Sequence, residues 1–200
     1  MSQGMQVSRY HPALVALHWC LAFFIIAALV LGALVMAPTP NNDPAKLEAL
    51  RAHMAGGGVI LALMLVRLLL RTRTAHPAPA ATGHPMLDWL AWGSHRLFYL
   101  LVLGMAASGI AMAIEADLPA IVFAGRGTLP PDLWVFTPRA VHYAFSRALM
   151  LLIGLHVAGA LYHAVILRDG LLRRMGFGRR VIADAGDSAP RGHQHAEARR

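Results

Sequence analysis

Histidine supplies the chemistry in this sequence. Of eleven histidines, six stand within or at the edges of long apolar stretches: His18, His53, His95, His142, His156 and His163. An ionisable ring in such a stretch is costly and by default marks function. One such ring can be a hydrogen-bonded contact between helices; six are too many for that explanation. His142 and His156 are 14 residues apart. On one helix this is close to four whole turns, so both rings face the same way, about 21 Å apart along the axis. A helix with that spacing can give one axial ligand to each of two stacked planar macrocycles, provided partner rings stand at matching depth. Structural zinc instead wants four converging ligands, commonly including cysteines, and Cys20 is the single cysteine. No CxxCH is present, so c-type attachment of a haem is excluded.

The elements that must position these rings are membrane helices. The chain has 200 residues, 57% hydrophobic and 14% charged, with a mean hydropathy of +0.52. Soluble domains are about 45–50% apolar and about 25% charged. Crossing a bilayer takes about 20 mostly apolar residues. Four stretches qualify: about Ala13–Met36, Leu47–Leu70, Leu87–Ile114 and Ala140–Leu167. The expected fold is therefore all-α, an integral membrane four-helix bundle over residues 13–180. Residues 1–12 form a cytoplasmic segment before it, and the polar stretch 181–200 forms a disordered tail after it. The first span is not a cleavable signal peptide: its apolar run is too long and it ends in PTPNND, without a small-residue cleavage site. The third connection is rich in proline and glycine, and a connection of that length is often functional.

The net charge of +8 is unevenly placed. Arg9 precedes span one; Arg67, Arg71 and Arg73 end span two; Arg168, Arg173, Arg174, Arg179 and Arg180 follow span four. The first and third connections are mixed in charge. The positive-inside rule then puts both termini in the cytoplasm. The basic residues flank apolar segments instead of forming a soluble basic face, so nucleic-acid binding is excluded.

With this topology, depth selects the partners. His18 begins span one from the inside and can meet His156 in the inner half of span four. His53 begins span two from the outside and can meet His142 at the outer start of span four. The expected cofactors are two b-type haems, one per pair. A macrocycle lies nearly flush against the helix that ligates it, and four residues after each expected ligand stand Ala22, Gly57, Ser146 and Ala160. His163 lies on much the same face as His156 and is an alternative inner ligand. His95 sits beside Arg96 at the cytoplasmic edge, either as an interfacial residue or near a propionate or quinone. Arginines are the natural propionate partners because the guanidinium matches a carboxylate bidentately. Arg9, Arg67, Arg71 and Arg168 are candidates inside, and Arg51, Arg126 and Arg139 outside. Arg147 is expected to point away from the His142/His156 face, and Cys20 to serve packing.

Four stretches, RYHPALVALHW, RAHMAGGGVILALMLVRLLLR, SHRLFYLLVLGMAASGIAM and LIGLHVAGALYHAVILRDGLLRRM, together resemble the bacterial cytochrome b561 family of dihaem membrane proteins. The resemblance touches all four spans, and a charge at Arg147 departs from it. It implies the same pairing, His18 with His156 and His53 with His142. It further implies an oxidoreductase of the bacterial inner membrane that exchanges electrons with a quinone such as ubiquinone. A characterised branch oxidises superoxide at the outer face. Other relatives are cytochrome subunits of hydrogenases and respiratory enzymes. The alternative expectation is thus a haem-bearing anchor that relays electrons for a separate soluble redox partner, a dehydrogenase or hydrogenase.

Overall fold

The computed structural model describes residues 6–78, 85–176, 178 and 181–183. Residues 1–5 of the expected N-terminal segment, Arg179, Arg180 and residues 184–200 of the expected tail lie outside the described residues. Among the described residues, four helices are long and apolar enough to cross a membrane: Pro12–Met36, Pro44–Arg73, Asp88–Glu115 and Thr137–Leu167. At 1.5 Å per residue these are about 38–46 Å long, enough to cross an apolar layer of about 30 Å and enter both interfaces. All four helices start within a few residues of the positions expected from the apolar runs. Two begin at the capping signals just ahead of the apolar run. Helix α1 (Pro12–Val30) starts at Pro12, with the His11 side chain accepting from the Ala13 amide at 3.2 Å. Helix α2 (Pro44–Arg73) starts at Pro44, with Asp43 accepting from the Ala45 amide at 2.8 Å. Proline at the first helical position lacks only an amide that would have no partner anyway.

Helix α1 continues as a wider π turn over Leu31–Met36. Helix α3 spans Pro85–Glu115, and α5 spans Thr137–Tyr162 and runs on as a π turn over His163–Leu167. Arg168, in the left-handed region at φ 49°, ends it. The largest helix interfaces are α3 on α5 and α1 on α2. Large side chains face outward from every span, among them Phe23, Leu34, Leu100 and Leu151. That is stable where the surroundings are lipid tails, and a contiguous apolar surface of this kind would mark a soluble chain as incomplete. The buried core at mid-depth consists of Leu21, Ile60, Met64, Leu101, Leu149 and Leu152. Gly104 lets α3 and α5 come together: a Cβ there would stand 2.5 Å from the Phe145 ring.

The third connection is more ordered than its proline and glycine content suggests. It holds a short helix, α4 (Leu118–Ala124), between two left-handed residues, Asp117 (φ 48°) and Gly125 (φ 62°). Leu118, Ile121 and Val122 follow helical spacing and are buried, against Leu50 of α2 and Leu133 in the case of Leu118 and Val122. Pro119 falls in the first turn, where proline is helix-compatible. Charged and polar side chains fasten this lid. Arg51 donates to the Val122 carbonyl from Nε (3.1 Å) and Nη2 (2.8 Å). Asn41 donates to the Pro130 carbonyl at 2.8 Å. Lys46 is buried, and its ammonium donates to the carbonyls of Met36 (2.5 Å) and Thr39 (2.8 Å), so a cation closes the C-terminal end of span one.

The opposite end is tied by the chain termini. Gln6–Val7 (β1) pairs antiparallel with Ile182–Ala183 (β2), the start of the stretch expected to be a disordered tail. The Trp19 indole donates to the Met175 carbonyl at 3.0 Å, and Arg9 Nη1 donates to the Gly176 carbonyl at 3.4 Å.

Two outcomes follow. Gly104→Val forces Phe145 to move and should cost about 1–3 kcal/mol of stability, the usual cost of overpacking. Thermal unfolding of the detergent-solubilised protein measures it, and parent-like stability contradicts this α3–α5 contact. Arg51→Ala removes both bonds to Val122. Amide exchange over 118–124 should quicken while exchange in the spans stays unchanged; unaltered exchange in the lid contradicts the clamp.

Candidate haem-binding pairs

At the lid end, His53 of α2 faces His142 of α5, with ring centres 6.0 Å apart and planes at 74°. An imidazole–metal bond is about 2.0–2.1 Å. Adding roughly 1.1 Å from nitrogen to ring centre on each side, two rings sharing one axial metal stand about 6.2–6.4 Å apart. The observed gap therefore suits one metal between the rings. Both histidines line a cavity of about 1480 Å³. That exceeds the roughly 300–1,000 Å³ of a typical small-molecule site. Gly57 and Gly58 also line it, and a Cβ at either would meet nothing within 4 Å, so the wall beside His53 is flat and open. A planar group can lie flush there.

The two rings differ in their second contacts. His142 Nδ1 is 3.1 Å from the Met105 carbonyl and 3.1 Å from Ser108 Oγ. A carbonyl only accepts, so Nδ1 carries the proton, and Nε2 keeps its lone pair for a metal. His53 Nδ1 is buried with no hydrogen-bond partner.

At the terminal end, His18 of α1 faces His156 of α5 at 6.2 Å between ring centres, with planes at 63°. The same arithmetic applies. This pair sits among aromatic rings: Trp19 is 5.3 Å from His18, and Phe98 is 5.3 Å from His156. His95 of α3 also reaches this layer, its ring centre 5.9 Å from that of His156. The two layers share helix α5, which runs unbroken from Thr137 to Tyr162. Their separation is thus the about 21 Å given by 14 residues of helical rise.

The structure distributes the expected arginines unevenly. Arg139 lines the lid-end cavity, its guanidinium 4.4 Å over the Trp134 ring. Arg67 lies close enough to act electrostatically on His18 and His95, and it donates to the Leu14 carbonyl at 2.7 Å. Arg71 lies within electrostatic range of His95. Arg9 is turned to the C-terminal turn at Gly176 and Gly178. Arg51 is occupied by the Val122 carbonyl and by Glu48 at 2.7 Å. Arg126 is exposed outside the cavity lining. Arg168 donates to the Val165 carbonyl at 3.2 Å. Arg147, expected to point away, lines the cavity: its guanidinium lies 4.9 Å over Tyr143, because the long stem folds back one turn along the helix. Cys20 is exposed toward the surroundings of the bundle, not packed inside it. His163 turns to Asp169 at 2.5 Å. That bond, with the Leu171 amide, holds the Asp169 carboxyl below the usual carboxylate range.

Sequence reasoning missed Ser108 and Lys46. A serine in a helix commonly bonds its own backbone, so no local signal distinguishes Ser108. The acceptors of Lys46 are carbonyls, which no residue type reveals.

Comparison with known proteins shows which family the chain falls in. Residues 9–178 match the family described as prokaryotic cytochrome b561. A protein of Yersinia pestis named "probable superoxide oxidase CybB" is 30% identical over 175 residues, covering 84% of this chain and 95% of that protein. Cytochrome b561 homolog 2 of Escherichia coli K12 is 27% identical, covering 84% of this chain and 90% of its own. Cytochrome b562 of Cereibacter sphaeroides is 29% identical, covering 85% and 96%. Four apolar spans, histidines of α1 and α2 facing those of α5, and a family match over nearly the whole described chain lead to one conclusion: this is an electron-transport membrane protein belonging to the prokaryotic cytochrome b561 family.

Proposed function

We propose that the chain holds two b-type haems, one between His53 and His142 and one between His18 and His156, and carries electrons between a quinone pool and a small donor at the periplasmic face, with superoxide as that donor. The observation that carries this reading is the facing of two imidazole pairs at 6.0 and 6.2 Å, a separation that suits one iron in each. A haem held there would supply one-electron iron chemistry, and two imidazoles holding it would favour electron transfer over binding of O2.

This chain's residues do the rest. The Met105 carbonyl orients His142, and Gly57 and Gly58 leave a flat wall beside His53. Arg139 and Arg147, each laid over an aromatic ring, are the partners for carboxylates at the lid end. Arg67 and Arg71 fill that role at the terminal end, and Arg9 instead braces the chain termini. The positive-inside rule makes the terminal end cytoplasmic and the lid end periplasmic. Superoxide as donor is supported by the name of the Yersinia pestis relative.

His53→Ala or His142→Ala should remove the lid-end haem and spare most of the other; His18→Ala or His156→Ala should do the reverse. Pyridine haemochrome assay then reads about two haems per parent chain and about one per variant, from one iron per histidine pair. Two haems in all four variants would refute the assignment. An anionic donor steered by Arg126 and Arg139 should react more slowly as salt is added. Superoxide-dependent quinone reduction that responds neither to ionic strength nor to Arg126→Ala rules that steering out.

A further inference from the structure

We propose that Ser108 tunes the lid-end redox centre by strengthening His142 as an electron donor to its iron; this rests on the ligand assignment above. Ser108 is 7% exposed and lies deep in α3. Its hydroxyl donates to the Met105 carbonyl at 3.0 Å, which satisfies the hydroxyl within its own helix. That bond alone would make Ser108 an ordinary helical serine. The hydroxyl oxygen also stands 3.1 Å from His142 Nδ1, on another helix. With its proton given to Met105, the oxygen presents lone pairs to the Nδ1–H. The imidazole proton is therefore shared between two acceptors, Ser108 Oγ and the Met105 carbonyl.

Gly109 lies beside the same ring. A Cβ there would stand in van der Waals contact, 3.4 Å from His142 Cε1 and 3.6 Å from Nδ1, so the ring lies close against α3 beside Ser108. Acceptors on the distal nitrogen draw the proton away from the ring and raise the basicity of the coordinating nitrogen. A more basic axial ligand favours the oxidised iron and lowers the potential, one of the levers by which a protein sets haem chemistry. The partner ring has no such support, since His53 Nδ1 is buried without a partner. Tuning of the lid-end centre through a distal nitrogen thus runs through His142, and Ser108 is its positioning residue.

Optical redox titration of the purified chain tests this, with the lid-end wave identified by its loss in H53A. In Ser108→Ala, both haems should remain by pyridine haemochrome. The lid-end midpoint should rise, the other should stay in place, and Ser108→Thr should restore the parent value by returning the hydroxyl. An unchanged or lowered lid-end midpoint, or an equal shift of both waves, overturns the inference while leaving the ligand assignment intact. Loss of the lid-end haem in Ser108→Ala also overturns it, since Ser108 would then support binding instead of potential. An H53A variant that keeps both waves overturns the ligand assignment, and the inference with it.

Discussion

A polar ring inside the hydrocarbon layer must have its nitrogens satisfied by protein or by a bound group, because no water is there to do it. Four such rings in two facing pairs limit how these helices can pack. The rings of each pair hold 6.0 or 6.2 Å between centres instead of stacking in contact. Helix α5 carries one member of each pair, so its rise sets the distance between the layers. Helices α1 and α2 bring the other members to matching depth, and α3 supplies backbone and side chains that close the gaps. The apolar core at mid-depth, with Leu149 and Leu152 of α5, lies between the layers and keeps that interval dry.

The two ends are built differently. At the lid end the histidines look into a wide cavity, walled by glycines and flanked by Arg139 and Arg147. The lid over it is fastened by Arg51, which donates to the Val122 carbonyl, while Lys46 donates to carbonyls at the end of span one. Hydrogen bonds to charged groups are among the stronger ones, which suits a cover made from a short helix and a proline-rich strand of chain. At the terminal end, His18 and His156 are hemmed in by Trp19, Phe98 and His95. There Gln6–Val7 pairs with Ile182–Ala183, and the described residues form no separate lid.

Much of this was legible before any coordinates. Span number and approximate limits follow from apolar run length, because the bilayer sets a minimum and each helix must satisfy its own backbone. The facing of His53 with His142 and of His18 with His156 follows from counting, since helical rise is local and topology alternates. The family resemblance lies in these same spans. Less legible were features that depend on rotation about a helix axis or on contacts across helices. His95, read as either an interfacial residue or one near a propionate or quinone, reaches the ring of His156. Arg147 looked turned away yet lines the lid-end cavity. Arg51 stood among the propionate candidates yet bonds Val122 and Glu48.

The sequence by itself determined the spacing of His142 and His156 along one helix, the four-span membrane architecture and the family, because these rest on local periodicity and on the energetics of burial in lipid. Only the tertiary structure decided that α4 forms a lid, that Lys46 ends span one, and that Ser108 and Met105 share the His142 proton. Those contacts join residues from 7 to 89 positions apart, and their partners are mostly backbone carbonyls, which every residue possesses and no residue type advertises.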